Sequence, residues 1–467
     1  MDHYELIVIG SGPAGEKAAV KAAYFGHKVA LIEQSKLYGG AGVVTGTLPS
    51  KTLKETALYL SGKYDKGLYG MDRDIAGEAT VETFMHRKNY IIETESREVH
   101  KNLLRHKVDI FHGTASFEDA HKIRIQSDPS KTLTADFIII ATGSCPFHPP
   151  HIPFDEKKVH DSDSILNITH FPKTIAVLGA GVIGCEYATI FSTMGTKVYL
   201  INRNNHILTF IDKEIVEHFF ECMRQDEIDL LFNMNVKQIT VPANEKEELQ
   251  VELDDGKVLK VDMFLYAAGR NGNIDALHLE KAGIEVNERK IIKVNENYQT
   301  LVPHIYAVGD VIGFPALAST SMDQGRVAVS HIFQTKDIEG LAAIVPYGIY
   351  TVPEISTVGI TEEQAIEQGL SYNIGIAVHR DMPRGKIMGA NKGMLKLIFT
   401  KEDLTICGVH IIGNLATELV HEGVNLIKNK KTVLDIIGKV YNFPTLHDLY
   451  KYAAYDGLSN LAGYKVK

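Results

Sequence analysis

Cysteine is scarce in this chain: four in 467 residues, at Cys145, Cys185, Cys222 and Cys407. They lie far apart, and no two of them form a CxxC or CxxxxC pair. That excludes a disulfide framework and a cysteine-built zinc site, and it is the usage of a reducing, cytoplasmic compartment. The 20 histidines show no HExxH-like spacing, so no metal is expected. A clustered basic run is missing too, and the net charge is −9 at pH 7. Neither nucleic acid nor an anionic membrane is an expected partner. No apolar run approaches the roughly 20 residues of a membrane span, and Phe137 to Ile140 is typical of what is present. The first residues, Met1-Asp2-His3-Tyr4-Glu5, lack the basic segment of a secretory signal. What remains is an ordinary globular composition, 45% apolar and 23% charged, in a length that suits about three domains.

An internal repeat organises the chain. Glu5 to Gly10 reads as an apolar strand, Gly10-Ser11-Gly12-Pro13-Ala14-Gly15 follows, and Ala18, Ala19, Ala22 and Ala23 recur at helical spacing. Gly26 closes that helix and Lys28 to Glu33 reads as a second strand. The same grammar returns later. Thr174 to Leu178 is a strand, Gly179-Ala180-Gly181-Val182-Ile183-Gly184 the turn, a helix runs to about Met194, and Lys197 to Asn202 is the next strand. Both units close on an apolar strand and small residues, Phe137 to Gly143 and Phe264 to Arg270. Thr80 to His106 reads as a long helix, Pro146 to Pro153 as a linker, and Ile305 to Asp310 as a further strand. From about Val345 the glycine motifs stop and the pattern becomes mixed strand and helix.

A strand, GxGxxG and a helix together put backbone N–H groups at a positive helix end, which binds pyrophosphate. The first glycine makes the turn, the second admits phosphate, and the third lets helix and strand pack. Two complete copies predict two dinucleotide sites. An offset of 23 residues from the first glycine lands on Glu33 in one unit and on Asn202 in the other. A carboxylate at Glu33 suits unphosphorylated ribose, as in FAD, and repels a 2′-phosphate. Asn202 is neutral and Arg203 follows it, so the second site is expected to admit both NAD(H) and NADP(H).

Further runs occur in order: Gly39-Gly40, Pro49-Ser50-Lys51, Ala141-Thr142-Gly143, Ala307-Val308-Gly309-Asp310 and Tyr350-Thr351-x-Pro353-Glu354. With them the chain resembles the flavoprotein disulfide reductases, the group of dihydrolipoamide dehydrogenase and glutathione reductase, from Glu5 to about Asn460. The resemblance implies an α/β protein with two Rossmann-like domains and a C-terminal α+β dimerisation domain. It places the first part of the FAD-binding domain at 1–150, an inserted NAD(P)-binding domain at 151–270, a return to the FAD domain at 271–344, and dimerisation at 345–467. A homodimer or larger homo-oligomer is implied. So are cofactor contacts from Gly40, Ala141, Thr142, Gly143, Gly309 and Gly269, with Asp310 bonding the ribitol–phosphate region of FAD. Lys51 and Glu186 are implied to pair near flavin N5 as the electrostatic machinery of the reaction.

Two departures change what that machinery can do. Such reductases carry a CxxxxC pair between Gly-Gly and Pro-Ser-Lys, and here its two positions are Gly42 and Thr47. They also carry a His–Pro near the C-terminus, and here Phe443 precedes Pro444. Thiol exchange needs a thiolate and a base, and neither is present at these positions. Hydride exchange between nicotinamide and flavin remains. Asp161 to Leu166, Gly184 to Ala188, Asp323 to Arg326 and Asn442 to Thr445 are similar to the soluble, Si-specific pyridine nucleotide transhydrogenases within that family. Those often keep the first loop cysteine, where this chain has Gly42. The implied activity is FAD-dependent NAD(P)+ transhydrogenation, reversible and ping-pong, passing hydride from NADPH to NAD+ through flavin N5. An NAD(P)H oxidase or diaphorase, and a non-catalytic flavoprotein subunit, stay open as alternatives.

Overall fold

The computed structural model describes residues 2–64, 68–69, 76–126, 131–244, 246–335, 337–338 and 340–463. Its first strand, β1 (Asp2–Ile9), buries Leu6, Ile7, Val8 and Ile9. Successive side chains point to opposite faces, so both faces of this strand are covered, the pattern of a parallel sheet between helical layers. β2 (Val29–Glu33), β3 (Asp109–His112), β4 (Ala115–Asp119), β5 (Lys122–Ile125) and β6 (Thr132–Ile140) complete the order β3-β2-β1-β6-β5-β4. β1, β2, β3 and β6 run parallel, while β4 and β5 form an antiparallel excursion. The helices of this part are α1 (Pro13–Tyr24), α2 (Thr47–Ser61) and α3 (Val81–Arg105). Proline opens α1, where its missing N–H costs nothing. Thr80 caps α3 by accepting the Thr83 N–H.

A two-stranded ribbon leads out of this sheet: β7 (Ser144–Pro146) pairs with the later β16 (Arg270–Gly272). Between them lie β8 (Val159–Asp161), β9 (Thr174–Leu178), β10 (Lys197–Asn202) and β11 (Asp229–Phe232). A meander of β12 (Val236–Thr240), β13 (Leu249–Leu253) and β14 (Val258–Val261) follows, then β15 (Met263–Tyr266). Helices α4 (Val182–Thr193) and α5 (Lys213–Gln225) serve this second sheet. Its order is β11-β10-β9-β15-β8, all parallel. The parallel part of the first sheet reads β3-β2-β1-β6, with β17 (Ile305–Ala307) beside β6. The repeat seen in the glycine motifs is thus a repeat of strand order. After β17, α6 (Ala318–Phe333) packs on α1. A Cβ at Gly325 would meet the Ala14 carbonyl oxygen at 2.3 Å, so the two helix backbones touch there.

The sequence reads as one strand from Ile305 to Asp310, but β17 stops at Ala307 and Gly309–Ile312 is a 3-10 turn. Gly309 has φ +79° and gives its N–H to Gln324 Oε1 at 2.7 Å, which takes it out of the sheet. β15 ends at Tyr266, with the small residues Ala267, Ala268 and Gly269 after it. The β4–β5 hairpin and the β12–β14 meander have no counterpart in the sequence reading.

The third sheet is antiparallel: β18 (Tyr347–Ile349), β19 (Ile355–Gly359), β20 (Tyr372–Val378), β21 (Met394–Thr400) and β22 (Ile406–Ile412), in the order β18-β19-β22-β21-β20. Lys396, on β21, is fully buried. Its ammonium meets Asp212 at 3.0 Å, Glu214 at 3.0 Å and Glu362 at 2.5 Å. Asp212 caps the start of α5. At the other end of α5, Asp226 pairs with Lys392 and with Lys63, both at 2.8 Å. The helix is thereby held at both termini.

His379 lies beside that interface, fully buried, with neither ring nitrogen hydrogen-bonded. Burial pushes its pKa down to about 4. The unfolded chain, with a histidine near 6.5, then binds the proton first as pH falls. This contribution to stability is complete above about 6.5 and is lost between there and about 4, where it reaches about 3 kcal/mol. His379→Asn is expected to flatten the acid limb of the stability profile, measured by urea unfolding between pH 4 and 7. An unchanged slope would show that His379 does not titrate this way.

Candidate active site

A cleft opens over the carboxyl ends of the first sheet. Its wall contains Gly10, Gly12, Glu33, Gly40, Ala141 and Thr142, together with Gly143, Gly309, Asp310, Gly42 and Thr47. Backbone contacts explain two of the glycines. A Cβ at Gly10 would sit 2.5 Å from the Ala141 oxygen, and one at Gly15 would sit 1.9 Å from the Gly10 oxygen. Gly12 has only the Gly40 Cα nearby, at 3.9 Å, and its surface is open to the cleft. Glu33 is buried, and Oε2 accepts from Ser11 N at 2.9 Å and Ser11 Oγ at 2.7 Å, while Oε1 accepts from Ser35 N at 2.8 Å. Thr142 Oγ1 is buried on the cleft wall without a hydrogen-bond partner. An unpaired buried hydroxyl costs stability unless a bound group completes it. Burial raises the pKa of Asp310, whose Oδ2 accepts from Ser144 Oγ at 3.2 Å. The open Gly12, the α1 N-terminus, the carboxylate of Glu33 and the orphaned Thr142 hydroxyl together fit a flavin dinucleotide.

The second cradle repeats the first. A Cβ at Gly179 would meet the Ala267 oxygen at 2.7 Å and one at Gly184 the Gly179 oxygen at 1.8 Å, while Gly181 has nothing within 4 Å. Asn202 Oδ1 accepts from Ala180 N at 3.1 Å, the position equivalent to Ser11. Its Nδ2 donates to Asn204 O at 2.9 Å. Arg203 next to it is exposed. Gly269 lies apart from the flavin cleft and accepts the Phe147 N–H at 3.0 Å.

Lys51 and Glu186 meet between the two cradles. Lys51 is on α2, one turn past Thr47, and Glu186 is on α4, one turn past Val182. Lys51 Nζ donates to Glu186 Oε1 at 2.8 Å and Oε2 at 2.7 Å. The glutamate is buried and also accepts from Ser50 Oγ at 3.3 Å and Tyr350 N at 3.0 Å. The Tyr350 ring lies under the ammonium, 5.0 Å away. The third sheet thus supplies part of this site, through residues whose motif the sequence displays but whose contact it does not.

The loop that in disulfide reductases bears thiols is one turn of π-helix here, Ala41–Thr45. A Cβ on Gly42 would come within 2.6 Å of Pro13 Cγ, so the turn has closed over the space a side chain would need. All four cysteines are free. Burial raises each thiol pKa: Cys145 above its ordinary value, Cys222 and Cys407 to about 11, and Cys185 further still. None is a thiolate at neutral pH. Phe443 is largely exposed and stands away from the cleft wall of its own chain. Among the described residues no cluster suits a metal ion, and no helix is long and apolar enough to cross a membrane.

Residues 4–325 match the pyridine nucleotide-disulphide oxidoreductase model, and residues 345–454 match the dimerisation domain of that family. The chain belongs to the pyridine nucleotide-disulphide oxidoreductase family. It is 41% identical over 464 residues to a soluble pyridine nucleotide transhydrogenase of Mycobacterium bovis, covering 99% of this chain and 98% of that one. A protein of the same name from Erwinia tasmaniensis is 37% identical, with 98% of each chain covered. Among solved structures, the Cu(II) complex of the HOCl-induced flavoprotein disulfide reductase RclA from Escherichia coli superposes with a TM-score of 0.87 at 27% identity, over 97% of this chain and 99% of that one. LpdA from Mycobacterium tuberculosis reaches 0.87 at 22% identity, a likeness of fold. The family is one of oxidoreductases that use FAD with NAD(P)H, and the two cradles fit that pair. The matched dimerisation domain supports a homo-oligomer.

Proposed function

We propose that this protein is an FAD-dependent NAD(P)+ transhydrogenase, oxidising NADPH and reducing NAD+ in turn, without disulfide reductase activity. The observation that carries the reading is the pairing of Lys51 with Glu186 beside a loop that has no thiol and in which a Cβ on Gly42 would meet the Pro13 ring. The curated relatives of the same full length bear this activity in their names.

Bound in the first cradle, FAD would supply the capacity to take up and give back hydride. The residues do the rest. Glu33, Gly12 and the start of α1 would hold the adenosine and pyrophosphate. Gly181, Asn202 and Arg203 would hold the pyridine nucleotide, the guanidinium being the group able to meet a 2′-phosphate. The Lys51 ammonium, anchored by Glu186, would keep one positive charge where negative charge accumulates on reduction. One nucleotide cradle serves both substrates, so they alternate. The FAD-binding part would comprise 1–150 and 271–344, the nucleotide-binding part 151–270, and the dimerising part 345–467.

Anaerobic stopped-flow spectroscopy tests this directly. NADPH is expected to bleach the flavin absorbance, and NAD+ is expected to restore it with no oxygen present. Restoration by oxygen or a quinone alone would replace the reading with an oxidase or diaphorase, and turnover of a dithiol would refute the missing half-reaction.

A further inference from the structure

Arg270 stands where the two dinucleotide-binding bodies join. It opens β16, paired with β7, and these two strands carry the chain out of the first body and back into it. Its planar guanidinium faces both ways. Nε donates to Ser144 Oγ at 2.9 Å and Nη2 to Ser144 O at 2.8 Å, on the flavin side. Nη1 donates to Ser162 Oγ at 2.9 Å and to Asp163 Oδ1 at 3.2 Å, on the nucleotide side. Each side leads to the reaction centre. Ser144 Oγ donates to Asp310 Oδ2 on the flavin cleft wall, at 3.2 Å. The Ser162 carbonyl accepts from Tyr187 OH at 3.4 Å, and Tyr187 is the residue after Glu186 on α4. Burial raises the pKa of both Asp163 and Asp310, and Arg270 acts on each in the opposite direction. The cation therefore offsets part of the burial cost of two carboxyls on opposite sides of the junction.

We propose that Arg270 is a positioning residue for hydride transfer, a single bolt that sets the angle at which the nucleotide cradle and Glu186 face the flavin cleft. This rests on the reading of that cleft as the hydride-exchange site. A guanidinium is suited to the task because its donors point in fixed, divergent directions, whereas a lysine ammonium satisfies one side at a time. Transfer is steep in geometry, and a misplacement of about 1 Å can cost on the order of 100-fold.

The test compares wild-type, Arg270→Lys and Ser162→Ala holoenzymes in anaerobic single-turnover reduction, using NADPH and NADPH deuterated at the transferred position. Arg270→Lys is expected to lower the limiting rate about 10-fold and Ser162→Ala about 3-fold. FAD content and the NADPH dissociation constant should stay within about twofold, and the isotope effect should rise as transfer becomes fully limiting. Amide hydrogen exchange across residues 144–147 and 270–272 should quicken in both variants. A normal limiting rate in Arg270→Lys, or a loss confined to NADPH binding or FAD retention, overturns the assignment. If that variant does not fold, a normal rate in Ser162→Ala overturns it. Wild-type protein that NADPH fails to reduce sinks the hydride-exchange reading itself, which separates the two failures.

Discussion

Lys51→Met holoenzyme is expected to keep its flavin and to be reduced by NADPH about 100-fold more slowly than wild type. The size follows from losing one charge-bearing donor aimed at a site where charge develops, which costs on the order of 10²- to 10³-fold in water-poor sites. FAD should be retained because the cleft wall that fits it, from Gly12 and Glu33 to Asp310, does not include Lys51. Methionine keeps the unbranched stem, so packing against Tyr350 survives while the ammonium is lost. Glu186 would still accept the Ser50 hydroxyl and the Tyr350 N–H, which holds the carboxylate in place without its cation. Glu186→Gln is the informative companion, because it frees Lys51 while preserving shape. Rapid-mixing absorbance at the flavin band measures both, and a Lys51→Met rate within threefold of wild type would remove this lysine from the reaction.

The largest expected effect on stability comes from Lys396→Met. Its removal leaves Asp212, Glu214 and Glu362 around an uncharged thioether, with Asp212 fully buried. Breaking a buried charge cluster by deleting one partner costs about 3–5 kcal/mol, far more than the intact cluster contributes against an apolar replacement of all its members. Burial opposes the charge on Asp212, yet His410, Lys396 and the Glu362 N–H hold its pKa below the ordinary carboxylate value. A carboxylate lowered on folding stabilises the protein above its unfolded pKa, and that contribution fades as pH falls through the folded value. The gap between wild type and Lys396→Met is therefore expected to be widest near neutrality and to narrow below about pH 4. Urea unfolding of the holoenzyme at several pH values measures it. Equal midpoints at neutral pH would show that the carboxylates need no counter-charge.

What could be read from the sequence was what the chain encodes locally. Gly10 and Gly15, like Gly179 and Gly184, are fixed by carbonyls of their own turn and of the adjoining closing strand, so their spacing announces the cradle by itself. Glu33 and Asn202 follow at a constant offset because β2 and β10 lie directly beside β1 and β9. The Lys51–Glu186 contact spans 135 residues and was accessible only through a family resemblance. The bridging role of Arg270 is not legible in its run, because its partners Ser144 and Ser162 are 126 and 108 residues away. The hairpin and meander escaped for a different reason: their strands have four or five residues each, too short for alternation to stand out.

The two-ended fastening of α5 limits how far the middle of this protein is interchangeable. Although it is an insertion with its own sheet and its own strand order, it is not a cassette. Excised alone, it would carry Asp212 and Asp226 without Lys63, Lys392 and Lys396, all of which reside elsewhere in the chain. A chimera that imports a foreign nucleotide-binding module, for instance to change coenzyme preference, must bring matching acids at both ends of that helix or rewrite the lysines that receive them.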